Sequence, residues 1–341
     1  MDLLPSDDER DIADTVAALV SRELPLSALH DEIDPSAAAV TGEGWAAFAE
    51  SGLLGLGLSD EDGGVGLGAV AEVMAFRELG RRLAPGPFLS SVIGAHVAAA
   101  SGRPDIVGQI LSGETSVCLL ATRAEAGVDG ELSGVVSVID GPGTSLALLL
   151  TSTTAALYSR DAFAGGSNVD CIDPGVRLAR AEVDRIRPEI LSPEPAAAYE
   201  RGTLLLSAFL VGISEAVTAA ATEHAITREQ FGRPIGVNQA VKHACANMAV
   251  STEAARSQLF YAAAAAEAEW PDAAEQISVA RVIASDAAIA NAQANIQVHG
   301  GMGYTAEHDA HLFVKRARVL APLLGARRAH LDVILQKERK A

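Results

Sequence analysis

Two segments set polar side chains beside glycines in a way that suits a bound anion. Arg228-Glu-Gln-Phe-Gly-Arg-Pro-Ile-Gly236 offers a guanidinium, and Gln297-Val-His-Gly-Gly-Met-Gly-Tyr304 offers adjacent glycines. An arginine presents a planar fork that pairs two phosphate oxygens at once. A glycine lets a backbone N–H come close with no Cβ in the way. At Arg228, Gly300 and Gly301 this chemistry suits a diphosphate, and so a nucleotide cofactor. The same residues have plainer uses: Arg228 as a charge at a helix C-terminus, Gly300-Gly301 as a helix stop. His299, His308 and His311 are close in sequence, but 299 and 308 straddle a turn and no carboxylate is spaced for a metal. They read as cleft or interface histidines, and no metal site is expected.

The elements that must position these residues are mostly helical. Ser6 is a plausible N-cap for a helix over 6–24, with Ile12, Val16, Leu19 and Val20 on one face. Helices follow at about 43–51, 69–82 and 88–100, with a Gly-rich break at 59–68. From about 115 the texture changes to short apolar runs, 117–121, 135–139, 145–150 and 156–158, separated by Gly, Asp and Ser; about five to seven strands are expected. Pro188, Pro193 and Pro195 mark the exit. Four long helices, about 197–230, 236–268, 272–299 and 307–338, then suggest an up-and-down bundle. The class is mainly α with a small β domain: an N-terminal helical domain at 1–114, a reduced middle β domain at 115–188 and a C-terminal four-helix bundle at 189–341.

The chain has 341 residues, 49% of them hydrophobic and only 4% aromatic, enough for a large core of closely packed helices. A net charge of −18 argues against nucleic acid, which needs a basic footprint. Cys118, Cys171 and Cys245 show no C-x-x-C spacing, so neither zinc nor a disulfide framework is expected and a reducing cytoplasm fits. The acidic N-terminus does not suit a signal peptide. The longest apolar run, near 202–213, is short of the ~18 residues that read as a membrane span. Helices such as 202–221 and 279–298 are apolar on most faces, more than one bundle can hide, and symmetric assembly is the usual outlet.

This order of units, taken with the motifs, resembles the acyl-CoA dehydrogenase family over nearly the whole chain. The strong matches are R-x-Q-F-G-x-P-I-x-x-x-Q from Arg228 to Gln239 and Q-x-H-G-G-x-G-Y from Gln297 to Tyr304; Trp45 to Gly68 is similar to the family's helix end and Gly-rich loop. The resemblance implies FAD as cofactor and an acyl-CoA as substrate. It places Arg228 on the pyrophosphate of a flavin bound by the neighbouring subunit and Phe231 against the cofactor. It gives Asn238 and Gln239 further flavin contacts, and sets Gln297, Gly300 and Gly301 along the adenosine-diphosphate end. The implied reaction is α,β-dehydrogenation: a carboxylate removes the α-proton and hydride leaves the β-carbon for the flavin. Electron-transfer flavoprotein is the implied acceptor.

Three departures from the family pattern stand out. The β unit is short. Its flavin signature, a Thr-Glu-Pro-x-Ala-Gly-Ser-Asp-like stretch, is replaced by Ala121-Thr-Arg-Ala-Glu-Ala-Gly-Val-Asp129, in which Thr122, Glu125 and Gly127 are faint echoes, and no Trp-x-Thr strand is visible. The Glu-Gly-Thr loop that carries the base in many members is replaced by Arg316–Arg328, which contains no Glu. Some members place the base in a Glu-Arg pair at the start of the first bundle helix, and Glu200-Arg201 matches that position, so Glu200 is the candidate base; its plainer use is as a first-turn glutamate. This pattern is similar to the smaller subunit of actinobacterial heteromeric (α2β2) enzymes acting on steroid side-chain CoA thioesters, completed by a paralogous partner. The alternative is a self-sufficient homotetramer using Glu200.

Overall fold

Ser6 begins the first helix with a reciprocal cap. Its hydroxyl accepts the Glu9 N–H at 3.3 Å and the Glu9 carboxylate accepts the Ser6 N–H at 2.6 Å, satisfying two donors that a helix start leaves free. The computed structural model describes residues 5–31, 34–122 and 126–338. From the cap, α1 (Asp7–Glu23) buries Ala13, Val16, Leu19 and Val20. The N-terminal unit adds α2 (Gly42–Glu50), α3 (Gly68–Arg81), α4 (Phe88–Ala100) and α5 (Pro104–Leu111). The sequence reading passed over α5, a short helix with Pro104 in its first turn that buries Ile106, Val107 and Ile110.

The middle unit is one seven-stranded sheet: β1 (Val117–Thr122), β2 (Leu132–Ile139), β3 (Leu146–Leu150), β4 (Ala155–Ser159), β5 (Ser167–Val169), β6 (Leu178–Ile186) and β7 (Ile190–Leu191), in the order β5-β6-β2-β1-β3-β4-β7. Only the β1–β3 pair is parallel. Alternation along β1 and β3 sorts the side chains. Leu119, Leu146 and Leu148 join the core shared with the helices, while Cys118, Leu120, Ala147 and Leu149 join a second core with Tyr158 and Phe163. β7 carries the sheet past Pro188, pairing Ile190 with Leu157.

The bundle is α6 (Pro195–Thr227), α7 (Gln239–Glu267), α8 (Ala273–His299), α9 (Ala310–Leu320) and α10 (Arg327–Glu338). The single helix expected over 307–338 is broken in two. Pro322 cannot continue a helix, and Leu324 takes a left-handed φ of 52°. The buried Arg281 guanidinium from α8 donates to the carbonyls of Leu320 (3.0 Å), Ala321 (3.1 Å) and Leu323 (2.8 Å) at and just beyond the end of α9. Helix α6 is long and apolar enough to cross a membrane, and 78% of its apolar window is buried inside this fold. It can pack so closely on α3 because Gly80 and Gly212 stand where they cross. A Cβ on either would come within 2.0 Å of a backbone oxygen of the other helix. Across the bundle, the Asn291 amide of α8 donates to Ser214 Oγ of α6 (2.7 Å) and Thr252 Oγ1 of α7 (2.9 Å), setting the three helices in register.

All three units meet at Arg316 of α9, which is 2% exposed. Its guanidinium donates to the Asp173 carboxylate before β6, and to the carbonyls of Leu83 (3.1 Å) and Ala84 (3.0 Å) just beyond α3. It lies over the Phe209 ring of α6, 5.8 Å from the centroid. Removing one member leaves a buried charge without its partner, which costs about 3–5 kcal/mol. Arg316→Ala is therefore expected to lower unfolding free energy by that amount in urea denaturation. Arg327→Ala, whose exposed pair with Asp286 spans 3.1 Å, should change it by less than about 1 kcal/mol.

Candidate functional site

Helix α6 ends at Arg228, whose backbone turns extended while its N–H still bonds the His224 carbonyl at 2.9 Å. The chain then makes a two-residue hairpin, with Glu229–Gln230 (β8) paired to Arg233–Pro234 (β9) and Phe231-Gly232 at the tip with φ of 54° and 75°. Two successive left-handed residues match the twist of a tight hairpin, but the first is usually Asn, Asp or Gly. A bulky residue there is strained by about 1–3 kcal/mol. Phe231 is nonetheless 100% exposed and gains no packing inside this chain. The hairpin replaces the helix ends expected at 230 and 236, because an extended Arg228 followed by a left-handed pair cannot continue α6.

The remaining residues singled out from sequence gather at the same end of the bundle. Asn238 precedes α7, its amide donating to the Ile235 carbonyl at 3.1 Å, and Gln239 opens that helix, exposed. Gln297 lies exposed in the last turn of α8, and Gly300-Gly301 follow it. The link between the two motifs is a ring contact: His224, one turn before Arg228, stacks on His299 at 4.2 Å between centroids. Sequence reasoning passed over His224, although the 224/228 spacing places both on one helix face.

These groups are unusual in what they lack. The Arg228 guanidinium is exposed and forms no ion pair or hydrogen bond among the described residues. A Cβ at Gly300 or Gly301 would meet nothing within 4 Å; the φ of 63° favours glycine at 300, but neither crowding nor a positive φ requires it at 301. Around them Tyr304 (77%), Ile226, Val237 and Met302 are exposed apolar side chains. An apolar surface of this kind, with an unpaired guanidinium and open space above two glycines beside it, is built to be covered.

The inward-facing features differ. A cavity of about 70 Å³ lies where the sheet meets the helices, lined by Phe88, Leu119, Leu206, Phe209, Leu320 and the polar pair Asp140 and Arg316. Burial raises the Asp140 carboxyl to about 6, although its Oδ1 accepts the Arg177 N–H at 3.0 Å. Glu200 does not line this cavity. It faces an open groove with Trp270, Leu204 and Ile277, and burial raises its pKa. Arg201 lines the same groove and pairs with the fully buried Glu72, which also accepts from His96 Nε2 at 2.9 Å. Burial works to raise the Glu72 carboxyl, but His96 and Arg201 outweigh it and hold it below the ordinary value. Of the faint signature echoes, Thr122 ends β1 and donates to the Val135 carbonyl at 3.3 Å, and the Gly127 N–H donates to the Glu131 carbonyl at 2.9 Å; Glu125 lies outside the described residues. The described residues contain no group of three or more His, Cys, Asp or Glu able to hold a metal.

Comparison with known proteins agrees with this architecture. The profile of the acyl-CoA dehydrogenase N-terminal domain matches residues 6–113, and that of the acyl-CoA dehydrogenase C-terminal domain matches residues 196–338. Over 333 residues, 96% of either chain, the sequence is 30% identical to acyl-CoA dehydrogenase IpdE2 of Mycobacterium tuberculosis (strain ATCC 25618 / H37Rv). The fold is similar to a chain of the ChsE4-ChsE5 complex from Mycobacterium tuberculosis, with a TM-score of 0.84 at 24% identity, covering 100% of each chain. It is similar to a chain of a variant of the Tcur3481-Tcur3483 steroid ACAD, with a TM-score of 0.85 at 21% identity, covering 98% of this chain and 99% of that one. The chain belongs to the acyl-CoA dehydrogenase family. It is thus an FAD-dependent oxidoreductase of that class, and an unpaired guanidinium beside open backbone fits the diphosphate of its cofactor.

Phe231 supplies a direct check on the outward-facing site. Phe231→Asn relaxes a left-handed position and is expected to leave unfolding free energy unchanged or raised by up to about 1 kcal/mol. The flavin-to-protein ratio of the purified oligomer should fall in the same variant. A ratio equal to that of the native protein would separate Phe231 from the cofactor.

Proposed function

We propose that this chain is one subunit of a heteromeric acyl-CoA dehydrogenase, an α2β2 assembly that carries out α,β-dehydrogenation of a CoA thioester, with a steroid side-chain CoA as the substrate class. In this reading Arg228, Phe231, Asn238, Gln239, Gln297, Gly300 and Gly301 reach across a subunit boundary to a flavin whose ring is housed mainly by a paralogous partner. FAD supplies hydride acceptance; this chain's residues hold its diphosphate end and exclude water from it. The partner supplies the base, and electron-transfer flavoprotein takes the electrons.

The observation that carries the proposal is the contrast between the two ends of the site. The Arg228 guanidinium is exposed and finds no partner among the described residues, and the space beside Gly300 and Gly301 is open. The interior cavity behind the sheet, about 70 Å³, is far below the ~300–1,000 Å³ of a site for a molecule of ligand size, and Arg316 in its wall is already paired with Asp173; the open groove at Glu200, about 500 Å³, lies apart from it. The names of the structural neighbours, a two-protein complex and a steroid ACAD, support a paired assembly and a steroid substrate. A self-sufficient homotetramer using Glu200 draws support from that residue's raised pKa, a property a base needs, but its groove is lined by different residues from the cavity.

Purification decides between them by colour. The chain alone should be colourless or insoluble and become yellow and active only with a paralogous chain; a yellow, active homotetramer would establish the alternative. Loss of a bidentate charged contact costs about 1.5–3 kcal/mol, so Arg228→Ala should weaken FAD binding roughly 10- to 100-fold. Gly301→Val should leave folding stability within about 0.5 kcal/mol of native, since the added side chain meets open space, while flavin retention drops. Native flavin occupancy in both variants would remove the cross-subunit role.

A further inference from the structure

Three imidazoles stand beside Arg228 and have no part in the function proposed above. His224 projects from the same face of α6 as Arg228 and stacks on His299 with centroids 4.2 Å apart and planes at 29°. His299 in turn meets His308, at 4.5 Å and 59°. Hydrogen bonds settle two of the tautomers. His299 Nδ1 donates to the Asn295 carbonyl at 2.9 Å, so its Nε2 is bare. His308 Nδ1 accepts the Ala310 N–H at 3.1 Å, so its hydrogen sits on Nε2. The ring nitrogens of His224 make no hydrogen bond among the described residues.

The charged and titratable groups that face this stack are Arg228 from α6, and Asp309, His311 and His30 on the far side of His308. Asp309 is already held by His30 Nε2 at 2.6 Å. The stack therefore sits next to a free guanidinium with no free anion among the groups that act on it. Burial first, then the neighbouring rings and Arg228, keep His224 below the ordinary imidazole value; burial and His299 do the same to His308. With no free anion beside them, His224 and His308 are held toward the neutral form.

We propose that His224 and His299 are further binding residues for the cofactor's diphosphate, and that the pair takes up one proton as the anion binds. The inference rests on the reading that Arg228 and Gly300-Gly301 grip FAD. Charge balance supplies the argument. Of the two negative charges on the diphosphate, Arg228 neutralises one, and a single imidazolium neutralises the other. Two imidazoliums in ring contact would repel, so the His224–His299 pair shares one proton rather than taking two. That proton comes from solvent and goes to a nitrogen with no bond inside the chain, Nε2 of His299 or a ring nitrogen of His224. His308 stays neutral, because protonating its Nδ1 would break the bond from the Ala310 N–H; its Nε2–H remains a donor.

The test is calorimetric titration of FAD into the flavin-stripped oligomer, assembled with its partner chain, at about pH 7.5 in two buffers of different ionisation enthalpy. The native protein is expected to take up about one proton per FAD, with Kd rising up to about tenfold per pH unit above the imidazole range. In His224→Phe/His299→Asn, proton uptake should fall close to zero and Kd should lose its pH dependence. Arg228→Ala should weaken binding at every pH. No proton uptake by the native protein overturns the role of the histidines without reference to any variant, and so does uptake that persists unchanged in the double variant. Native-like FAD affinity in Arg228→Ala overturns instead the reading on which this one stands.

Discussion

The buried Arg316 guanidinium holds the three units of this chain in one frame. A charge taken out of water is costly, and its attraction to one carboxylate does not by itself offset that. Arg316 is tolerated because Asp173 and the carbonyls of Leu83 and Ala84 surround it, and because Phe209 offers the face of its ring. Each acceptor comes from a different part of the chain: the sheet, the end of α3, and α6. None of these segments can shift without stranding a charge. The small cavity at this junction follows from the same arrangement, since Arg316 and Asp140 occupy part of its wall.

A second buried guanidinium does related work one layer away. Arg281 spends its donors on carbonyls at the end of α9, which fixes the turn into α10 and with it the position of Leu324, whose carbonyl accepts the Tyr199 hydroxyl at 2.6 Å. Burial lowers its pKa to about 10, which still leaves it charged at neutral pH. In the interior of this chain, then, Arg316 and Arg281 each meet several acceptors, although the Arg281 Nε has none among the described residues. At the far end of the bundle the opposite holds. Arg228 is unmatched among the described residues, the space beside the twin glycines is open, Phe231 is strained and exposed, and three histidines crowd together beside few anions. A surface corner that combines an unpaired guanidinium with exposed apolar side chains is presented to another molecule. The cost of the strained hairpin makes sense only when something outside the chain packs against it.

The elements that carry a single periodicity were legible in the sequence. The capped first helix, the helices near 43–51, 69–82 and 88–100, and the long bundle helices came from apolar spacing and caps, because those signals are local. The short strands were harder: β5 and β7 have two or three residues each and depend on neighbours for their existence. The hairpin at 229–234 was not legible, because its tip uses a Phe where turn chemistry favours Asn or Gly. The break in the last helix needed Pro322 to be weighed against the apolar pattern around it. At the candidate site, Arg228 and Gly300-Gly301 could be named from residue type alone. Their meeting through His224 and His299 could not, since it depends on how the C-terminal ends of α6 and α8 align.

By itself the sequence determined which residues could grip a diphosphate, where the long helices run, and which family the motifs resemble. Those follow from side-chain chemistry and short-range spacing. Only the tertiary structure decided that Arg228 is unpaired and outward among the described residues, that Glu200 lies in a groove apart from the cavity behind the sheet, and that this cavity is small. Each of those depends on what lies opposite a residue across the core, and neither composition nor periodicity records the opposite wall.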